Sequence, residues 1–236
     1  MSTVGNWRGP NIVKDGLVLY LDAGSPNSYF SLNPTTTWKD ISGNANNATL
    51  INGTAYNESN GGTFVFDGID DYADCGNNPI TKPTGSTSIS YWFKGVSTSL
   101  NFVTGIGTMS FAGSRGYLLG PNTGTQVGFF LPIDDVNLIA VTYNLTIDTS
   151  LWYNICGVYS ESNYVKLYLN GVEVSSTTTS VPSSLYTGNG ISLKIGSRGD
   201  SIYFSGNISQ FLMYHRPLSD SEVLQNFNSS RARFGI

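Results

Sequence analysis

The chain predicts an all-β fold: a two-sheet antiparallel β-sandwich or jelly roll, closed by one short C-terminal helix. Three observations carry this. Short apolar runs recur between clusters of Gly, Pro, Asn and Asp, the signature of strands joined by turns. A helical period is almost absent over the first 215 residues. One segment near the end, Leu218-Ser219-Asp220-Ser221-Glu222-Val223, carries a helix start signal.

The elements follow in order. Residues 1–14 read as an arm, with Trp7 and Pro10 set among polar residues, and the domain proper is expected over 15–236. Leu17 to Leu21 is a short apolar run that fits a buried strand. Pro26 and Pro34 mark a loop, and Asp40-Ile41-Ser42-Gly43-Asn44 is turn chemistry. Strands are expected at Ala48–Ile51, Thr63–Phe66 and Tyr72–Cys75. In the stretch 86–94, Thr87, Ile89, Tyr91 and Phe93 share one face while Ser88, Ser90 and Trp92 share the other, a half-buried strand. Further strands are read at Leu100–Thr104, Gly116–Leu119, Gln126–Leu131, Leu138–Tyr143, Ile191–Ile195, Ile202–Phe204 and Ile208–Tyr214. Tyr164 to Val174 is a hairpin, because Asn170-Gly171 suits a type I′ turn with two positive φ angles. The helix should cover about 220–228, with Ser219 and Glu222 as a capping box and Leu218 and Val223 as a hydrophobic staple.

Composition narrows the function. At 236 residues a single core can bury most of its apolar surface without disulfides. Charged residues are only 12% and aromatics 13%, which favours a packed domain over a disordered chain. The net charge of −4, with 12 scattered Lys and Arg, argues against a nucleic-acid surface. No secretory signal is visible, and no apolar run approaches a membrane span, so no membrane insertion is expected. Cys75 and Cys156 read as two reduced strand cysteines, with a single bridge as the alternative.

Five segments then fall in a recognisable order. They are Asp15-Gly16-Leu17, Trp38 with Ser42-Gly43-Asn44, Phe66-Asp67-Gly68 with Asp71-Tyr72, Trp152 with Tyr168 and Asn170-Gly171, and Tyr214 with Arg216, Leu218-Ser219 and Glu222. Together they resemble the laminin-G-like branch of the concanavalin A-like lectin/glucanase superfamily, over residues 12–234. The resemblance implies a jelly roll that joins the two chain ends. A narrower likeness, carried by Gly9-Pro10-Asn11-Ile12-Val13 through Ala23-Gly24, with Asn27-Ser28-Tyr29 and the ending Leu224 to Phe234, is to versions of the domain in structural proteins of tailed bacteriophages.

Catalysis finds little support in the residues. The glucanase branch carries two glutamates on one strand. Here the four glutamates, Glu58, Glu161, Glu173 and Glu222, sit in a loop, a turn, past a hairpin turn and at a helix cap. His215, the only histidine, follows a strand end and is read as a surface or packed residue. Asp67, Asp70, Asp71 and Asp74 read as turn chemistry rather than an EF-hand. Many laminin-G-like relatives hold calcium near the joined chain ends. The resemblance makes Asp22 and Asp40 the natural ligands here, although the last strand reads Ile208-Ser209-Gln210 where many relatives carry an aspartate. A sugar site would use exposed rings and amides on loops, for which Tyr29, Phe30, Asn33, Asn122, Tyr186 and Asn189 are the candidates.

These readings converge on a non-catalytic virion structural protein of a bacteriophage, a lectin-like decoration or adhesion domain on the particle, assembled in the host cytoplasm. Its expected partners are other virion proteins of capsid or tail, host-surface or environmental glycans, and a second copy of itself. Trp7 and Pro10 are the expected docking residues. No cofactor is expected unless calcium binds. The alternative is a carbohydrate-binding module of a cellular protein.

Overall fold

A computed structural model describes residues 10–96, 109–110, 114–123, 125–134, 136–186, 192–198 and 202–236. The strands are β1 (Leu17–Asp22), β2 (Thr37–Trp38), β3 (Ala48–Ile51), β4 (Ala55–Asn57), β5 (Thr63–Asp67), β6 (Tyr72–Asp74), β7 (Thr87–Gly95), β8 (Met109–Ser110), β9 (Ser114–Arg115), β10 (Leu118–Thr123), β11 (Gln126–Pro132), β12 (Leu138–Asn144), β13 (Tyr153–Ser160), β14 (Tyr164–Leu169), β15 (Val172–Thr177), β16 (Lys194–Ile195) and β17 (Ser205–Tyr214). One α-helix, α1 (Asp220–Ser230), follows β17 and runs into a 3-10 turn at Arg231–Phe234.

The last strand organises the first layer. An eight-stranded antiparallel sheet runs β15-β14-β13-β7-β17-β5-β4, with β1 also on β17. One edge of β17 pairs with β7 along most of its length. The other edge is shared: Ser205 to Ile208 pair with β5, and Gln210 to Tyr214 pair with β1. First and last strands therefore meet in the middle of the fold. The second layer comprises a three-stranded sheet, β10-β11-β12, and a four-stranded one, β16-β6-β3-β2.

Alternation decides what each layer buries. Ile89, Tyr91 and Phe93 of β7, Ile155 and Tyr159 of β13, and Ile208, Phe211 and Met213 of β17 face the opposing sheets in one continuous core. The opposing sheets answer with Trp38, Leu119, Phe129, Val141 and Ile195. Contact is close: a methyl group at Gly157 would lie 2.6 Å from the Phe129 ring. The core closes without a disulfide, since Cys75 and Cys156 are both buried free thiols. Burial pushes the Cys156 thiol up to about 12, so it is inert at neutral pH.

The other face of the large sheet is also covered, and this differs from the half-buried strand expected at 86–94. Ser88, Ser90 and Trp92 are all buried: Ser88 donates to the Arg216 carbonyl and accepts from the Leu218 N–H ahead of α1, Ser90 accepts from Asn154, and Trp92 lies against α1 and its 3-10 extension. Trp92 stacks on Phe234 at 4.1 Å and on Phe227 at 5.5 Å, and its indole N–H donates to Ser230. Val223 and Leu218 pack with Val158, Tyr168 and Leu212. The helix starts as its sequence dictates: Ser219 caps Glu222 and Glu222 returns a bond to Ser219.

Part of the expected arm lies along this face. Val13 is buried, its N–H donates to Asn226 of α1, and its carbonyl accepts from the Tyr214 hydroxyl. Gln225 donates to the Asn11 carbonyl. Residues 11–13 are thus tied to the domain ahead of the boundary expected after residue 14. Trp7 lies outside the described residues, as do Asn189 and the strand expected at Leu100–Thr104. Two other expectations change. Tyr153–Ser160, not anticipated as a strand, occupies the sheet interior beside β7. Residues 202–204 form one isolated bridge, Ser197 to Tyr203, instead of a strand. The hairpin at Asn170-Gly171 forms as expected, with φ of 50° and 79°.

Acid stability follows from the helix cap. Arg216 grips Glu222 through two bonds of 2.9 and 2.6 Å, and the Ser219 N–H adds a third. Arg216 first, then Ser219, hold the Glu222 carboxyl at about 2 in place of its ordinary 4.5, against the opposing effect of burial. A lowered folded-state value means the stabilisation is complete above 4.5 and is lost as the pH falls toward 2. Glu222→Gln should flatten the thermal stability profile across that window; an acid limb as steep as wild type would contradict the assignment. Gly157→Ala should lower stability by about 1–3 kcal/mol in urea unfolding, because the Phe129 ring must move.

Candidate functional site

Where the chain ends meet, the outer face of the large sheet carries a cleft of about 810 Å³. This lies within the roughly 300–1,000 Å³ common for small-ligand sites. Its floor is polar because of strand parity. In β1, Leu19 and Leu21 point into the core, so Tyr20 and Asp22 point out; Gln210 of β17 lies opposite Asp22. One wall is the 10–14 segment with Pro10, Asn11, Ile12 and Lys14, and the other is Ser229 to Arg233 at the end of α1.

Arg233 holds the site together. Its Nη1 donates to Asp22 Oδ1 at 2.7 Å. Its Nη2 donates to the Gly62 carbonyl at 2.8 Å and to Ser209 Oγ at 2.6 Å, and its Nε donates to the Asn60 carbonyl at 2.6 Å. Both charged side chains are largely buried, 19% exposed for Arg233 and 10% for Asp22. The approach requires glycine. A methyl at Gly24 would overlap the guanidinium, and one at Gly62, where φ is 125°, would overlap the Ala23 carbonyl.

The remaining floor groups satisfy one another. Asp22 also accepts from the Gly24 N–H and from Gln210 Nε2, and the Tyr20 hydroxyl donates to Asp22 Oδ2 at 3.3 Å. Burial and the Asp22 charge raise the Tyr20 phenol well above its ordinary value, so it remains a neutral donor. Gln210 Oε1 accepts from Ser230, which in turn receives the Trp92 indole. Such a linked network rigidifies the floor and presents Tyr20, half-buried, toward the cleft.

Calcium does not fit these residues. The positive charge at Asp22 is already the Arg233 guanidinium, and Ser209 offers a hydroxyl rather than a carboxylate. Asp40 is consumed by the turn: its oxygens accept from the N–H groups of Tyr20, Ser42 and Asn46 and from the Ser42 hydroxyl. A hard cation needs several free oxygens, which this pair does not provide.

The expected sugar residues do not converge. Tyr29 is a core residue, 8% exposed, with its ring 4.9 Å from Phe64 and 5.0 Å from Tyr56. Its loop turns it inward because Ser28 bonds to β1 and to Lys39. Asn33 and Phe30 are exposed on that same loop. Asn122 joins a row of amides on the three-stranded sheet, donating to Gln126, which donates to Asn144. Tyr186 bonds through its N–H to Pro132, at the opposite end of β11. At ~3.3 Å per strand residue that end is about 20 Å from Gln126. Pro10 is exposed at the cleft rim. Tyr20, Gln210 and Arg233 were not anticipated as site residues. The legible signal was the polar parity of Tyr20 and Asp22 inside an apolar strand.

Residues 67–224, more than half of the chain, match the laminin-G-type family profile described as the concanavalin A-like lectin/glucanases superfamily. The chain belongs to this superfamily. No curated protein matches it. Among solved structures, this superfamily member is similar to the binding domain of Paraclostridial Mosquitocidal Protein 1, with a TM-score of 0.68 and 18% identity over 92% of this chain and 52% of that one. It is also similar to the receptor binding domain of the botulinum neurotoxin C/D mosaic serotype, with a TM-score of 0.69 and 18% identity over 91% and 51%. A third is the binding domain of botulinum neurotoxin DC in complex with SialylT, with a TM-score of 0.68 and 17% identity over 92% and 52%. The chain spans about half the length of each. At such identities the likeness is one of fold.

Removing one partner of the buried pair leaves the other charge unpaired, at a cost of about 3–5 kcal/mol. Arg233→Met should lose about that much in urea unfolding, and adding Asp22→Asn should recover part of it. Strictly additive losses would show that the two side chains are not coupled.

Proposed function

We propose that the chain is a non-catalytic, lectin-like domain of a bacteriophage virion protein, exposed on the particle for decoration or adhesion, with a glycan seated in the cleft at the joined chain ends. The observation that carries this is the floor of that cleft. It sets a Tyr20 ring among Asp22, Gln210 and Arg233, the planar and hydrogen-bonding groups that suit a polyhydroxylated ring. Lys14 adds a positive charge at the rim, which favours acidic sugars. Among the described residues, Asp22 is the only carboxylate lining the cleft and is ion-paired, whereas glycoside hydrolysis requires two.

The solved relatives support binding in kind. One botulinum neurotoxin DC binding domain is in complex with SialylT, another with rat synaptotagmin II, and cell entry of the type C toxin depends on two ganglioside molecules. The virion assignment rests on the bacteriophage-like pattern at 9–29 and 224–234. Under it, residues 1–9 with Trp7, together with Pro10, dock the domain on a capsid or tail protein. The cellular carbohydrate-binding module is the alternative, and the gene neighbourhood separates the two.

A glycan array with wild type, Tyr20→Phe and Lys14→Ala tests the site. Binding should concentrate on acidic glycans and fall about tenfold in each variant, the loss of roughly one charged or buried hydrogen bond. Asn144→Ala, on the amide row, should leave it unchanged. A blank array for the wild type, or loss only in Asn144→Ala, would reject the cleft as the glycan site. Deleting residues 1–9 should abolish particle incorporation while glycan binding persists.

A further inference from the structure

The turn from β5 to β6 gathers three carboxylates. One oxygen each from Asp67, Asp70 and Asp71 lies within 4.8 Å of the others. Part of this is turn chemistry, as the residue pattern implied. Asp67 Oδ1 accepts from the N–H groups of Ile69 and Asp70 at 2.7 and 3.2 Å, and Asp71 Oδ2 accepts from the Asp67 N–H at 3.1 Å. Asp74 is outside the group and caps its own turn at Gly76. These bonds account for the N–H groups but leave the charge unbalanced. Among the described residues, no lysine or arginine forms an ion pair with any of the three.

The base of the group is the informative part. Asp71 is 5% exposed, and its second oxygen, Oδ1, is buried without a hydrogen-bond partner. A buried carboxylate oxygen with no donor, beside two further negative charges, is costly unless a cation meets it.

We propose that this turn is a calcium site, with Asp71 at its base and Asp67 and Asp70 at its mouth. Calcium holds oxygens at about 2.3–2.6 Å, so two ligands on one ion lie up to about 5 Å apart, the span of this triad. Magnesium, at about 2.1 Å and near-ideal octahedral, fits a tighter group. Asp67 and Asp70 are exposed, which leaves room for waters to complete the shell. Asn52 steadies the loop by donating to the Asp70 carbonyl. Because β5 belongs to the eight-stranded sheet and β6 to the four-stranded one, the ion would pin the two layers at their corner. The site is separate from Asp22 and Asp40 and independent of the glycan reading.

Calcium titration of the chelator-treated full chain tests this, followed by thermal unfolding and by terbium luminescence excited through the protein's tyrosines. The expected result is saturable binding of one ion with a rise in Tm, and a weaker response to magnesium. Asp70→Asn should weaken calcium about tenfold or more. Asp71→Asn should abolish the response while leaving the metal-free Tm equal or higher, because an unpaired buried charge has gone. Should Asp71→Asn fail to fold, the exposed Asp70→Asn still decides, with Asp148→Asn, an exposed carboxylate elsewhere, as the variant that keeps wild-type affinity. No saturable response at millimolar calcium overturns the proposal. So does a response that magnesium reproduces, or one that Asp70→Asn leaves unchanged.

Discussion

The guanidinium of Arg233 is the constraint on which the closure of this domain depends. It reaches three chain segments at once: β1 through Asp22, β17 through Ser209, and the turn ahead of β5 through the Asn60 and Gly62 carbonyls, all from the C-terminal 3-10 turn. Strand pairing alone would join β1 to β17. It would not seat the final helix, whose own backbone bonds are local. Arg233 and the Trp92–Phe234 stack together fix where that helix ends, and so place the wall of the cleft. The planar fork matters here, since a lysine could not hold a carboxylate and two carbonyls in one plane.

The same residue explains why Asp22, at the joined ends of this chain, does not fit calcium. A guanidinium and a calcium ion both neutralise carboxylates, but they make opposite demands on neighbours. The cation needs more carboxylate oxygen; the guanidinium is satisfied by neutral carbonyls and a hydroxyl. Ser209 therefore belongs with Arg233, as a carboxylate there would belong with an ion. Among the described residues, the carboxylate cluster without a lysine or arginine ion pair is the Asp67–Asp70–Asp71 turn, between a strand of the eight-stranded sheet and one of the four-stranded sheet.

What could be read from the residues alone followed from how local its cause was. The Asn170-Gly171 hairpin and the Ser219–Glu222 cap are determined within a few residues, and both formed where they were expected. Tyr153–Ser160 escaped because it is buried on both faces, so Ile155 and Tyr159 alternate with Cys156 and Val158 instead of polar residues, and Gly157 interrupts the apolar run. Tyr29 was read as a loop ring because its inward turn depends on Ser28 bonding across to Asp22 and Lys39. Arg233 could not be read at all: it pairs with a residue 211 positions away, and nothing near it in the chain signals that distance.

The N-terminal segment links the two halves of the proposed function. Residues 10–14 form one wall of the cleft, and Val13 is hydrogen-bonded to Asn226 and Tyr214. Any partner that pulls on residues 1–9 therefore pulls against those bonds and against the placement of Pro10, Asn11 and Lys14. If residues 1–9 dock on a particle and a glycan seats in the cleft, as proposed, both act on this one wall. The floor is held by the Asp22–Arg233 pair and the Tyr20–Gln210–Ser230 chain, bonds that do not pass through residues 10–14. By linkage, if the proposed docking shifted that wall and changed the affinity of a ligand in the cleft, the ligand would change docking by the same factor.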